Sequence, residues 1–168
     1  EQLDVLKLSS CEEIEGDLLI YGSNQVSVSG VERLSKISGG LYIVENEFLK
    51  TIVFPQLVEV GTEIFIAKNK LLEDVSGFAG VETVHRIELI DNQMLSDISG
   101  FNTIHTIHLQ ITISEHPNLL SISGLSLLEL VLNTEIRNNP QLCLSLIEDI
   151  FTDITLEELL VDGLDTDC

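Results

Sequence analysis

LYIVENEFL at residues 41–49, IFIAKNKLL at 64–72 and IELIDNQML at 87–95 are three copies of one pattern, apolar-x-apolar-x-x-Asn-x-x-Leu. Further copies begin at Leu18, Ile111 and Thr134, so successive starts lie 23, 23, 23, 24 and 23 residues apart. This period is too short for pairs of helices and suits one turn of a solenoid, in which each turn adds a strand to a parallel sheet. The sequence therefore predicts a mostly β fold, a right-handed parallel β-solenoid similar to leucine-rich repeats, with six coils of about 23 residues and short helical caps.

Length and composition fit a single domain over residues 1–168. The chain is 44% hydrophobic, and a chain of about 150 residues buries roughly 70% of its unfolded surface. We expect a lead-in at residues 1–11, the solenoid coils at 12–142 and a helical cap at 143–168. Two short helices are expected in the cap, because Ser145-Leu-Ile-Glu148 and Thr155-Leu-Glu-Glu158 both match the capping box that opens helices.

Charge limits the kinds of partner that the chain can bind. Asp and Glu outnumber Lys and Arg by 28 to 8, which gives a formal net charge of -20 without any basic cluster. Nucleic acid and anionic membrane surfaces would repel such a chain. No apolar run approaches the roughly 18 to 20 residues that a membrane helix requires, so direct membrane insertion by this segment is not expected. A cationic ligand and a simple role of acidity in solubility both remain open.

The sixth position of the pattern predicts a structural ladder. It is occupied by Asn46, Asn69, Asn92 and Asn139, with Ser23 and His116 in the two remaining copies. Asn tolerates left-handed backbone, and its amide both donates and accepts hydrogen bonds, so a column of Asn can satisfy a buried turn. We interpret His116 as a hydrogen-bonded replacement in this ladder rather than as a ligand or a catalyst.

Alternation along each strand predicts which side chains face solvent. The first and third positions of the pattern are expected to point into the core, and the second and fourth to point outward. The first four copies then present one apolar patch about 15 Å across, large enough to indicate an interaction surface. The predicted ligand-binding residues are Leu19, Tyr21, Tyr42, Val44, Phe65, Ala67 and Ile90, with Glu88, Lys68 and Arg137 in a charged rim.

Enzymatic and metal-binding functions receive little support. The outward columns carry two carboxylates, Glu88 and Glu135, which a regular stack would separate by about 10 Å. No phosphate-binding loop, nucleophile elbow or HExxH helix occurs. The alternative of a zinc or pH-sensing site at His85, His105 and His108 fits no recurrent ligand spacing. We therefore expect no catalytic residues, no cofactor and no metal, and keep a polysaccharide-active β-helix enzyme as a distant alternative.

Three segments together resemble a known family. CEEIEGDLLI at residues 11–20, the IxxNxxL copies and NNPQLCLSLIEDI at 138–150 are similar to the receptor L domain of insulin-receptor and epidermal-growth-factor-receptor relatives. The resemblance implies a disulfide between Cys143 and Cys168. It also implies that Cys11 pairs with a residue of a preceding helix, inside which this sequence would begin. In insulin-receptor relatives, the corresponding sheet face of the first L domain contributes to hormone binding.

The resemblance and the outward patch lead to one functional hypothesis. We expect a non-catalytic binding module, extracellular or at the cell surface, which recognises a protein or peptide ligand through the outward face of its sheet as part of a receptor. A neighbouring domain of the same protein is an alternative occupant of that face. A wall-associated or adhesive cell-surface protein of the same fold is an alternative function.

Overall fold

The computed structural model describes residues 10–28 and 30–168, so the predicted lead-in at 1–11 lies largely outside the described residues. Its main feature is a parallel sheet of seven strands, which confirms the mostly β class with parallel sheets. In spatial order these strands are β2 (Leu18–Tyr21), β4 (Leu41–Val44), β6 (Glu63–Ala67), β7 (Thr83–Ile90), β8 (Thr106–Ser114), β9 (Leu130–Cys143) and β10 (Glu158–Asp165). Spatial order therefore follows chain order.

The register of this sheet reproduces the sequence repeat. Leu18 pairs with Leu41, Leu41 pairs with Ile64, and Ile64 pairs with Ile87, so the first position of each copy lies beside the first position of the next. A second parallel sheet joins β1 (Glu13–Ile14), β3 (Lys36–Ile37) and β5 (Glu59–Val60). Each early repeat thus contributes one strand to each sheet.

The core lies between these sheets and three 3₁₀ turns, Ser76–Phe78, Ser99–Phe101 and Ser123–Leu125. First- and third-position side chains from Leu41 to Ile113 are fully buried, whereas Ile20, in the first described strand of the sheet, is half-buried. A column of buried aromatic rings also runs through the core. Phe78 and Phe101 stack with ring centroids 4.9 Å apart, and Phe54 lies 6.0 Å from Phe78. This column was not predicted, although these phenylalanines follow the same 23- and 24-residue spacing.

The left-handed backbone lies one position earlier than the sequence suggested. Positive φ occurs at Gly22, Glu45, Lys68, Asp91, Glu115 and Asn138, the fifth position of every copy. The Asn at the sixth position is not left-handed in any copy. The Asn side-chain amide instead forms hydrogen bonds with buried backbone groups near the turn. The residue before the Asn therefore makes the left-handed turn, and the Asn side chain forms the ladder.

The C-terminal segment differs in part from the expectation of two helices. Helix α1 (Leu144–Phe151) is present, with Cys143 rather than Ser145 as its N-cap. The second predicted helix is wrong, because residues Glu158–Asp165 form β10, which pairs in parallel with β9. An exposed edge of β9 offers unpaired backbone groups, and Leu159, Leu160 and Val161 suit a strand, so pairing prevails over the capping-box signal.

The C-terminal disulfide that the resemblance implied is present. Cys143 and Cys168 form a disulfide with Cα atoms 5.9 Å apart. Cys11 is free. No helix in the described ranges is long and apolar enough to cross a membrane.

Candidate functional site

The outward side chains of the first four strands of the main sheet form the candidate site, which we call the sheet face. Leu19 is 54% exposed and Tyr21 is 58% exposed at its edge, while Tyr42 and Phe65 are half-buried further in. Their inward neighbours Ile43 and Ile66 are fully buried. The sheet face comprises Leu19, Tyr21, Tyr42, Val44, Phe65, Glu88 and Ile90.

Ala67 must be removed from the predicted contact residues. It occupies an outward position, in register with Val44 and Ile90, but it is only 2% exposed. Its single methyl group is shorter than the side chains on both neighbouring strands, so these cover it.

Tyr42 and Phe65 form an aromatic pair at the centre of the sheet face. They lie directly opposite each other on β4 and β6, with ring centroids 6.3 Å apart and ring planes tilted by 44°. The Tyr42 hydroxyl donates a 2.5 Å hydrogen bond to the Glu63 carboxylate. This bond, together with burial, raises the pKa of Tyr42 to about 12. The phenol is therefore held neutral and oriented.

A charged column that sequence analysis missed borders the aromatic pair. Asp17, Glu63 and Arg86 each precede the first pattern position by one residue, so alternation also turns them outward. Arg86 Nη1 lies 3.4 Å from Glu63 and 3.7 Å from Glu88. Burial raises the pKa of Glu88 despite Arg86, and the charges of Glu63 and Glu135 add to the rise. The Arg86 guanidinium therefore pairs with two carboxylates.

The predicted rim residues engage in ion pairs. Lys68 lies 3.5 Å from Glu45, and Arg137 lies 3.2 Å from Glu135. Glu45 also accepts a 3.0 Å hydrogen bond from the Tyr21 hydroxyl, which raises the pKa of Tyr21. Every Lys and Arg from Arg33 to Arg137 lies within 4.0 Å of a glutamate carboxylate. The basic side chains from Arg33 to Arg137 are thus each paired with a carboxylate, whereas most acidic side chains in the described part of the chain have no basic partner.

Beyond the rim lie two surface features that sequence analysis did not single out. A groove of about 640 Å³ follows the left-handed turns and is lined by Glu45, Glu47, Lys68, Lys70 and Asp91, among others. Beside it, the exposed side chains Phe48, Leu71 and Met94 occupy equivalent positions of three successive repeats and form a second apolar stripe. The repeat spacing alone was sufficient to find this stripe.

The histidines do not form a three-ligand site. The structure brings His85 and His108 together, with ring centroids 5.1 Å apart on β7 and β8. Within residues 10–28 and 30–168, no group of three or more His, Cys, Asp or Glu side chains is arranged to hold a metal ion.

The sixth-position side chains from Asn46 to Asn139 form a continuous buried column. Asn69 Oδ1 accepts from the Asn46 backbone N–H at 3.1 Å, and Asn69 Nδ2 donates to the Ile43 carbonyl at 2.9 Å. Asn92 repeats this arrangement with respect to Asn69. His116 Nδ1 takes the place of the amide oxygen and accepts from the Asn92 N–H at 3.1 Å, while its Nε2 is buried without a hydrogen-bond partner.

A parallel sheet built from sequence repeats, with aromatic residues on its outward face, defines a repeat-built, mostly β domain as the class of protein. Residues 1–78 match the family model described as the Receptor L domain. This match supports the resemblance over residues 1–78. Receptor L domains are non-catalytic ligand-binding modules of receptors. No curated protein and no solved structure shows significant similarity to the chain.

Proposed function

We propose that the chain is an extracellular binding module without catalytic activity, which recognises a protein or peptide ligand through the sheet face as part of a cell-surface receptor. One observation is the main support for the proposal. Tyr42 and Phe65 lie side by side on adjacent strands and remain partly exposed, although the core residues beside them are fully buried. Aromatic anchors within an apolar patch are typical of interface hot spots. The family match over residues 1–78 covers both residues and supports the same function.

We further propose that residues 1–168 form one domain, a right-handed solenoid of six coils closed at the C-terminus by α1, β10 and the Cys143–Cys168 disulfide. The regular register of successive strands supports this arrangement. The sheet face is then a rigid surface, because each of its strands is held between two others or against the core. A rigid surface loses little conformational entropy when it binds a ligand.

Binding through the sheet face can be tested with peptides selected from a displayed random library on the intact chain. We expect Phe65→Ala to weaken their binding at least tenfold in calorimetry, since truncating an aromatic anchor removes about 2 kcal/mol or more of binding free energy. Phe48→Ala is the matched control, because Phe48 is 49% exposed and lies on the second apolar stripe. Loss of binding in Phe48→Ala with full binding in Phe65→Ala would refute the proposal.

A further inference from the structure

The sheet face places an aromatic surface directly beside a carboxylate. Tyr42, Phe65 and Glu88 occupy the same outward position on three successive strands, and neighbouring strands lie about 4.8 Å apart. A cation is stabilised when it lies within about 6 Å of an aromatic ring centroid. A single ammonium or guanidinium group over Phe65 would therefore also be within reach of Glu88.

The charge around Glu88 is net negative, so an added cation would offset it. Glu88 is 23% exposed and shares Arg86 with Glu63, which also accepts the hydroxyl of Tyr42. The raised pKa of Glu88 indicates that Arg86 does not offset its burial and the repulsion from Glu63 and Glu135. An additional positive charge at this point would stabilise the ionised carboxylate.

The wider sheet carries the same excess of negative charge. Its outward positions, including those of β9 and β10, hold six carboxylates and two guanidinium groups. The carboxylates belong to Asp17, Glu63, Glu88, Glu135, Glu158 and Asp162, and the guanidinium groups of Arg86 and Arg137 are already paired. A second copy of this chain, at a net charge of -20, would meet like charge on this surface.

We propose that the ligand of the sheet face is a positively charged peptide segment that places an Arg or Lys side chain against Phe65, between Tyr42 and Glu88. This inference rests on the proposed function and adds the chemical class of the ligand. Apolar residues on either side of the cation would contact Leu19, Val44 and Ile90. Electrostatic complementarity of this kind sets the choice of partner and the rate of association.

Three synthetic peptides of equal length test the inference: acetylated, amidated GLRLRLRG and its counterparts with Gln or Glu in place of Arg. Binding to the intact chain is measured by calorimetry at near-physiological salt, where long-range charge effects are screened. We expect the Arg peptide to bind at least about fivefold more tightly than the Gln peptide, and the Glu peptide to bind least. Glu88→Gln should weaken the Arg peptide about fivefold and leave the Gln peptide unchanged.

The control is Glu82→Gln, which removes one exposed carboxylate outside the sheet face and should change the affinity for the Arg peptide less than about twofold. Equal binding of the Arg and Gln peptides, equal effects of Glu82→Gln and Glu88→Gln, or no measurable binding of the Arg peptide would overturn the inference.

If Phe65→Ala weakens the binding of the Arg and Gln peptides alike while their affinities are equal, the inference fails but the proposed function stands. If Phe65→Ala affects neither peptide, both fail. Self-association that Phe65→Ala abolishes would identify a second copy as the occupant and also overturn the inference.

Discussion

At the scale of the single residue, Asn69 links three successive repeats. Its side chain accepts from the backbone of Asn46, donates to the carbonyl of Ile43, and donates to the amide oxygen of Asn92. All of these groups are buried, so water cannot replace the side chain. Backbone groups left unpaired in such a site each cost about 1 to 3 kcal/mol.

We therefore expect Asn69→Ala to lower the free energy of unfolding by about 3 kcal/mol or more, because it leaves the buried Asn46 N–H without an acceptor and removes the side-chain bonds to the Ile43 carbonyl and to the Asn92 amide. Urea unfolding followed by circular dichroism measures the change. Asn102→Ala, at an exposed position, is the control and should change stability by less than about 0.5 kcal/mol. Similar effects of the two substitutions would show that the ladder does not contribute as described.

His116 makes the same ladder sensitive to pH. Burial lowers its pKa, and this effect exceeds the opposing influence of the nearby backbone and of Asp91. Because the folded pKa lies below the unfolded value of about 6.5, the unfolded chain binds more protons at acidic pH. Stability is therefore complete above about pH 6.5 and declines as the pH falls from there toward the folded pKa.

His116→Asn removes this titration and restores the amide found at the other ladder positions. Relative to wild type, the variant should gain about 1 kcal/mol of unfolding free energy between pH 7.5 and pH 5.5. Denaturant unfolding at the two pH values measures the difference, and the contributions of exposed groups cancel in the comparison. An unchanged difference between wild type and variant would contradict the interpretation of His116.

At the scale of the element, each turn is limited by contact with the preceding repeat. Gly100 lies in the 3₁₀ turn Ser99–Phe101, and an added Cβ would lie 1.8 Å from the Val75 carbonyl oxygen. Gly22, in contrast, has φ of +58° but no atom within 4 Å of the added Cβ. Gly100 is required because no side chain would fit there, whereas Gly22 is favoured only because its backbone is left-handed.

Gly100→Ala should accordingly destabilise the protein by about 3 kcal/mol, since two rigid backbone segments must move apart. Gly22→Ala should cost only about 1 kcal/mol, because Glu45 and Lys68 already adopt the same left-handed conformation in later repeats. Thermal unfolding of the two variants gives the comparison. A larger loss in Gly22→Ala than in Gly100→Ala would contradict this account.

Elements that follow the repeat could be predicted from the sequence, and those that depend on a neighbour could not. Alternation identified the inward and outward positions of β4 and β6, because one buried face fixes the strand register. The burial of Ala67 depends on the length of adjacent side chains, and β10 depends on the open edge of β9. The charged column through Glu63 and Arg86 was predictable in principle, since it extends the same alternation by one position.

At the scale of the whole molecule, the Cys143–Cys168 disulfide ties the C-terminal segment to the last repeat. It links residues 25 apart, and the chain-entropy model assigns such a loop about 3.5 kcal/mol. We expect the double variant Cys143→Ser, Cys168→Ser to lose about that much unfolding free energy in urea titrations. Cys11→Ser should lose much less, because Cys11 is free. Equal losses would contradict the assignment.

Chemical-shift mapping with a library-selected peptide shows most directly whether the sheet face binds the ligand, as we propose. We predict that the largest shifts on titration occur at Tyr42, Phe65, Glu88 and the methyl groups of Val44 and Ile90. Phe48, Leu71 and Met94, on the second apolar stripe, should remain unperturbed. Shifts confined to that stripe, with Tyr42 and Phe65 unchanged, would contradict the claim.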